Sequence, residues 1–263
     1  MKNKQLLAGI AIISFFSLIA ILAGLISPYE PSTIDQDSLL MPPSFRHPLG
    51  TDSLGRDVLT RMIYGSRISL SVGIIAVGIA TVIGLLLGSL AGFYGGFIDS
   101  LIMRIVDVML CFPAFFLILA VIAILEPSIF NIMVIIGLTN WMGTARLVRS
   151  EMLSLKEREF IQAARAIGAS NFRIITRHLI PHALGPVLVS ATLGIGAAIL
   201  LESGLSFLGL GVQPPVPSWG NILTESKSTL GIAWWITLFP GAAILVTILG
   251  FNMISEGFKK IIG

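Results

Sequence analysis

The stretch ISLSVGIIAVGIATVIGLLLGSLAGFYGGFI, residues 68–98, runs from Arg67 to Asp99 without a charged residue. A helix needs about 20 apolar residues, at 1.5 Å each, to cross roughly 30 Å of hydrocarbon, so this run is long enough to span a bilayer. Other gaps between charges are comparable. None lies between Lys4 and Glu30, Asp107 and Glu126, Glu126 and Arg146, or Lys227 and Glu256, and Arg177 to Glu225 is broken only by Glu202. With Gly and Pro clusters as boundaries, six spans are expected near 6–27, 68–93, 100–125, 129–148, 186–210 and 232–255. The expected fold class is all-α, a polytopic membrane protein with six transmembrane helices.

Composition agrees with lipid as the solvent. Of 263 residues, 12% are charged and 55% apolar, whereas about a quarter of a soluble domain is charged. The net charge of +3 comes from 17 basic and 14 acidic residues spread thinly, so no dense patch exists to neutralise nucleic-acid phosphates. Cys111 is the single cysteine; it has no intrachain disulfide partner and no metal-ligand neighbour at useful spacing, and it reads as a small packing residue. Lys2 and Lys4 precede the first apolar run as in a signal peptide, but the run from Leu6 to Ser27 is long and no small-x-small site follows before Pro28, so a retained anchor is expected.

Six spans put both termini on one side, and basic residues choose it. With the termini inside, Lys2, Lys4, Arg104, Arg146, Arg149, Lys156, Arg158, Arg165, Arg173, Arg177, Lys259 and Lys260 are cytoplasmic, against Arg46, Arg56, Arg61, Arg67 and Lys227 outside. The first outer segment, 28–67, is expected to end in an amphipathic helix, Asp52 to Arg67, lying at the outer surface.

Within the spans, Gly84, Gly88 and Gly92 recur every four residues and mark a face where another helix packs closely. Arg104 and Asp107 are three apart and placed to pair along one helix. Pro113 and Pro240 interrupt the third and sixth spans and are read as kinks. Glu202 has two readings: it lines the route or an outer gate, together with Ser206, or it lies near enough to the outer interface to be hydrated. Trp219, Trp234 and Trp235 are expected in the outer interfacial belt. His178 and His182 form no metal motif and are expected unliganded at the membrane surface. Ser206 lacks a nucleophile elbow and an activating His, so no catalytic residue is assigned.

The inner segment 149–185 is built as two short helices with a hinge. Residues 157–167 are rich in helix formers, Gly168 stops them, and Ser170 is placed to cap a second helix, Asn171 to Ile180, that Pro181 ends. Phe172, Ile175 and Leu179 form an apolar stripe while Arg173 and Arg177 share another face. A solvated basic connector is the simpler reading, but capped helices with a stripe are more structure than orientation requires. The stripe calls for a soluble partner on the cytoplasmic face.

Three motifs carry a resemblance. Gln162-Ala163-Ala164, three residues, Gly168, nine residues, then His178-Leu179-Ile180-Pro181 resembles the Glu-Ala-Ala loop of binding-protein-dependent ABC importer permeases, with Gln162, His178 and Ile180 departing from its Glu, Ile and Leu. The stretches 47–57, HPLGTDSLGRD, and 205–215, LSFLGLGVQPP, followed by Pro217-Ser218-Trp219-Gly220, look like the C-type permease of dipeptide, oligopeptide and nickel systems. The resemblance covers nearly the whole chain. It implies the type I ABC importer permease fold with a cytoplasmic coupling-helix loop, in a bacterial or archaeal inner membrane. The implied domains are an anchor and extracellular segment over 1–66, the permease domain over 67–256 and a cytoplasmic tail over 257–263. Its implied partners are a second permease, two cytoplasmic ATPases and an extracellular solute-binding protein. The ATPase-coupling residues carried over are Gln162, Ala163, Ala164, Gly168, Ala169, Phe172, Arg173, Arg177 and Pro181. The sequence has no Gly-x4-Gly-Lys-Ser/Thr loop of its own, so no cofactor is assigned to this chain, and ATP and magnesium belong on the partner ATPases. The implied substrate is a short peptide or a nickel or metal-chelate complex. A secondary transporter or channel without an ATPase is the alternative; it would show inverted repeats, and no half-to-half similarity is evident.

Overall fold

The computed structural model describes residues 2–125 and 128–262; Glu126, the charge separating the third and fourth expected spans, lies outside them. The order is α1 (Lys2–Ile21), α2 (Ala23–Ile26), α3 (Val58–Tyr94), α4 (Gly96–Leu110), α5 (Ala114–Ile122), α6 (Ile129–Leu138), α7 (Trp141–Leu155), α8 (Glu159–Ala166), α9 (Asn171–Ile174), a π-helical turn (Ile175–Leu179), α10 (Ile180–Phe207), α11 (Trp219–Thr229) and α12 (Trp234–Ile262). Among the described residues four helices are long and apolar enough to cross a membrane, at 4–21, 58–94, 171–207 and 234–260, and the pair α4 and α5 passes the same test together across an 81° bend. The remaining expected span, 129–148, is divided between α6 and α7. Thr139 and Asn140 cause the division: Thr139 Oγ1 donates to Ile135 O at 2.8 Å and Asn140 Nδ2 to Ile136 O at 2.7 Å, so side chains occupy carbonyls at the end of α6.

The 81° bend falls at Pro113, which lacks an N–H and disfavours helix at the residue before it. Pro240, by contrast, sits inside an unbroken α12. The expected surface helix from Asp52 to Arg67 does not form as a unit. Asp57 accepts from Thr60 N at 2.7 Å and caps α3 at Val58, so residues 58–67 are the first turns of a 37-residue helix, with Thr60 and Arg61 buried. At 1.5 Å per residue that helix is about 55 Å long and overshoots a bilayer core. Pro181 does not end the second loop helix either. The Ile180 N–H reaches back to Ile175 O; this wider turn makes room for the proline ring and α10 continues to Phe207.

Close helix contacts follow the small residues. A Cβ on Gly84, Gly88 or Gly92 would lie 2.5–2.6 Å from Thr144 Cβ, Ala145 O or Met152 Cβ, so the glycine face of α3 is where α7 seats against it. The pair expected between Arg104 and Asp107 is replaced by a contact between helices: α7 brings Arg146 Nη2 to 2.5 Å from Asp107, and Arg149 forks onto Asp99 at 2.5 and 2.6 Å. Two of the three tryptophans assigned to the interface are core residues. Trp219 turns inward with the start of α11, donating Nε1–H to Met62 O at 3.1 Å, and Trp235 donates to Thr51 O at 3.0 Å; Trp234 alone of the three is exposed. Cys111 is exposed rather than packed, because it sits in the break before Pro113.

Candidate functional site

The helix pair α8 and α9 is held by local chemistry that the sequence spells out. α8 ends in a Schellman turn: Gly168 has φ +82°, its N–H donates to Arg165 O at 2.9 Å, and Ala169 N–H reaches Ala164 O at 3.0 Å. Ala164 is buried, and Ala169 packs against the apolar cluster beneath. Two residues on, Ser170 Oγ accepts from Arg173 N and starts α9.

One side of this pair faces its own bundle. Ile161, Ile174, Ile175 and Leu179 are buried with Phe93, Val148 and Met152, and the Arg165 guanidinium lies 5.6 Å from the Phe93 ring centre. The expected apolar stripe therefore splits. Ile175 and Leu179 point into the protein, because the π-helical turn rotates them onto α7 and α10, whereas Phe172 stays 77% exposed beside Ile167 at 85%. Gln162, Ala163, Arg173, Arg177 and Pro181 are also exposed, and Ala164 is buried. Between α8 and α9 lies a hollow of about 380 Å³, walled by Phe160, Ala163, Ile167, Ala169, Arg173 and His178. His182 stacks on Phe160 at 5.1 Å with its Nδ1 2.6 Å from His178 O.

α9, the π-helical turn and α10 form one apolar helical run over 171–207.

Glu202 and Ser206 sit near the other end of the run and touch. Glu202, fully buried, accepts from Ser206 Oγ at 2.6 Å and from Ser218 Oγ at 3.0 Å. Ser206 Oγ in turn accepts from Val212 N, and Ser218 caps α11 with Asn221 in a reciprocal capping box. The carboxyl thus ties α10 to the turn leading into α11.

The opposite end of α11 meets a cluster of four charges that sequence reasoning did not assemble. Arg56 bridges Asp52 and Glu225 at 2.7 Å each, and Arg61 Nη1 lies 2.5 Å from Asp52 and 2.8 Å from Glu225. Burial pushes the Glu225 carboxyl above its usual range; Arg61 opposes the shift, Asp52 adds to it and Arg56 opposes it. Nearby, buried His47 lies 2.9 Å from Asp57 and stacks on Tyr29. HPLGTDSLGRD holds Asp52, Arg56 and Asp57, but nothing near it in the sequence points to Glu225. Among the described residues no group of three His, Cys, Asp or Glu is placed to hold a metal ion.

Comparison with known proteins agrees with this architecture. Residues 84–263 match the family described as binding-protein-dependent transport system inner membrane component, and residues 1–43 match the N-terminal TM domain of oligopeptide transport permease C. The dipeptide transport system permease protein DppC of Alkalihalophilus pseudofirmus is 47% identical over 258 residues, covering 98% of this chain and 85% of that one. The glutathione transport system permease protein GsiD of Pectobacterium atrosepticum is 41% identical, covering 98% and 86%. Among solved structures, the MetNI methionine ABC transporter in an inward-facing conformation gives a TM-score of 0.60 at 18% identity, over 78% of this chain and 95% of that one; that likeness concerns the fold.

Proposed function

The chain belongs to the family of binding-protein-dependent transport system inner membrane components, and on that premise we propose that it forms, with a second permease, the path by which an ATP-driven importer admits short peptides. It is a multi-pass permease subunit of an ABC transporter. Peptide is the substrate class because similar permeases are named for dipeptides and for glutathione, itself a short peptide. ATP and magnesium bind and react on two partner ATPases, a solute-binding protein delivers substrate from outside, and both termini face the cytoplasm.

The observation that carries this reading is the helix pair α8 and α9. It is fixed by a Schellman turn and a serine cap, exposes Ile167 and Phe172 beside Arg173 and Arg177, and is continuous with a membrane-spanning helix. Exposed apolar side chains on so stiff a mount suit a soluble partner whose movement is to be transmitted, and a rigid lever transmits it without needing chemistry of its own. The test is reconstitution. The chain purified with its companion subunits in proteoliposomes should import a labelled dipeptide only with ATP and binding protein present; gradient-driven import by the permeases alone would contradict the proposal.

A further inference from the structure

Half-way along α3 the protein contains a cavity of about 210 Å³, walled by α3, α10 and the break between α6 and α7. Its walls are small residues such as Ala80, Gly194 and Ala197, and none of its lining residues is charged. Its polar groups are the hydroxyls of Thr81, Thr144 and Ser190 and the amide of Asn140. Thr144 is only 9% exposed. Its Cβ and methyl pack on Gly84, which leaves the hydroxyl bordering the cavity, and that hydroxyl has no hydrogen-bond partner among the described residues. A hydroxyl on a cavity wall is free to bond whatever occupies the cavity. Thr81 and Ser190, both half-buried, border the cavity as well. α7 begins at Trp141 with no side-chain cap, so the N–H of Gly143, another wall residue, has no acceptor within the helix.

A second hollow adjoins the cavity. Gly143 and Ser190 also wall this one, of about 570 Å³, which runs past Leu147, Pro186 and Leu193 to Lys259 near the end of α12.

We propose that this cavity is a transit subsite for the main chain of a short peptide, resting on the reading of the chain as a peptide permease. Peptide amides present one donor and one acceptor per residue; hydroxyls and an N–H in a small, uncharged space complement them, while the lack of charge leaves the substrate's side chains unread. The walls admit one or two residues at a time. The groove to Lys259 is the way out.

The test uses the complete transporter, with both permeases, both ATPases and binding protein, in proteoliposomes, comparing ATP-driven import of Ala-Lys and Ala-Glu. A carboxylate or ammonium introduced at Ser190 would sit close to the passing side chain, where a water-screened charge contact changes passage by about tenfold. Ser190→Asp is expected to raise the Ala-Lys to Ala-Glu ratio by that factor, and Ser190→Lys to lower it. Equal effects of both variants on both peptides overturn the proposal, since a merely structural site does not sort substrates by charge. A second measurement covers variants that fail to assemble: in a Cys111→Ser background, Ser190→Cys should react with a charged thiol reagent more slowly when Ala-Ala is being imported. Labelling that Ala-Ala does not slow overturns it too. If the unmodified transporter imports no peptide, the peptide-permease reading itself falls, which is a distinct result from import without sorting.

Discussion

Replacing Gly168 isolates the hinge from everything around it. The residue has φ +82°, and a Cβ added there meets nothing within 4 Å, so the penalty of a side chain lies in the backbone alone. A left-handed conformation costs an L-residue roughly 1–2 kcal/mol, and a β-branched one more. Leaving that conformation gives up the bonds from Gly168 N to Arg165 O and from Ala169 N to Ala164 O, each contributing about 0.5–1.5 kcal/mol net. Gly168→Val should therefore bias the pair away from its native angle by about 2–3 kcal/mol, a factor of roughly 30–150 in the correctly docked population. Asn tolerates the left-handed region and serves as the matched control. Import per ATP hydrolysed, measured in proteoliposomes alongside the amount of assembled complex, should fall at least about tenfold for Gly168→Val and change little for Gly168→Asn, with both variants inserting normally. Wild-type import by Gly168→Val, or equal damage by both substitutions, would refute the reasoning.

Three further outcomes follow from packing and polar contacts. Ala164→Glu places a carboxylate at a buried position, 7% exposed, on the wall of the hollow between α8 and α9, and should abolish import while the chain still reaches the membrane, as read by uptake and by quantifying membrane-resident protein. Gly88→Val drives a Cβ to 2.5 Å from Ala145 O; overpacking of this kind costs about 1–3 kcal/mol, visible as a lower melting temperature in detergent. Glu202→Leu strands the hydroxyls of Ser206 and Ser218 and should cost about 1–3 kcal/mol by the same assay, whereas Glu202→Gln keeps an acceptor oxygen and should lose less.

The sequence made different parts of this protein legible for different reasons. Lipid as the solvent could be read from the spacing of charges, because an unpaired charge in hydrocarbon is costly wherever the helix points. The hinge could be read because Gly168 and Ser170 act on their immediate neighbours, and caps are local chemistry. What could not be read depends on partners distant in the chain. Arg146 displaced Arg104 as the partner of Asp107 because α7 packs on the glycine face of α3 and passes beside α4. Glu225 meets Arg56 and Arg61 across more than 160 residues, and no local pattern announces that. Pro181 signalled a helix end by its missing N–H, yet one π-helical turn absorbed it, so the lever is longer than the sequence suggested. Phe172 and Leu179 lie on one apparent stripe, and only the turn between them shows that one faces solvent and the other the core.

A permease driven through the exposed face of α8 and α9, as proposed, must present Ile167 and Phe172 to an ATPase. A photo-crosslinking residue placed at Ile167 or Phe172, with one at Phe45 on the exposed tip of the outer segment as control, tests it in membranes containing the whole transporter. Adducts to an ATPase subunit are expected from positions 167 and 172 and none from 45. A transport-competent complex that yields no ATPase adduct from either inner position, or yields one from position 45, would contradict it.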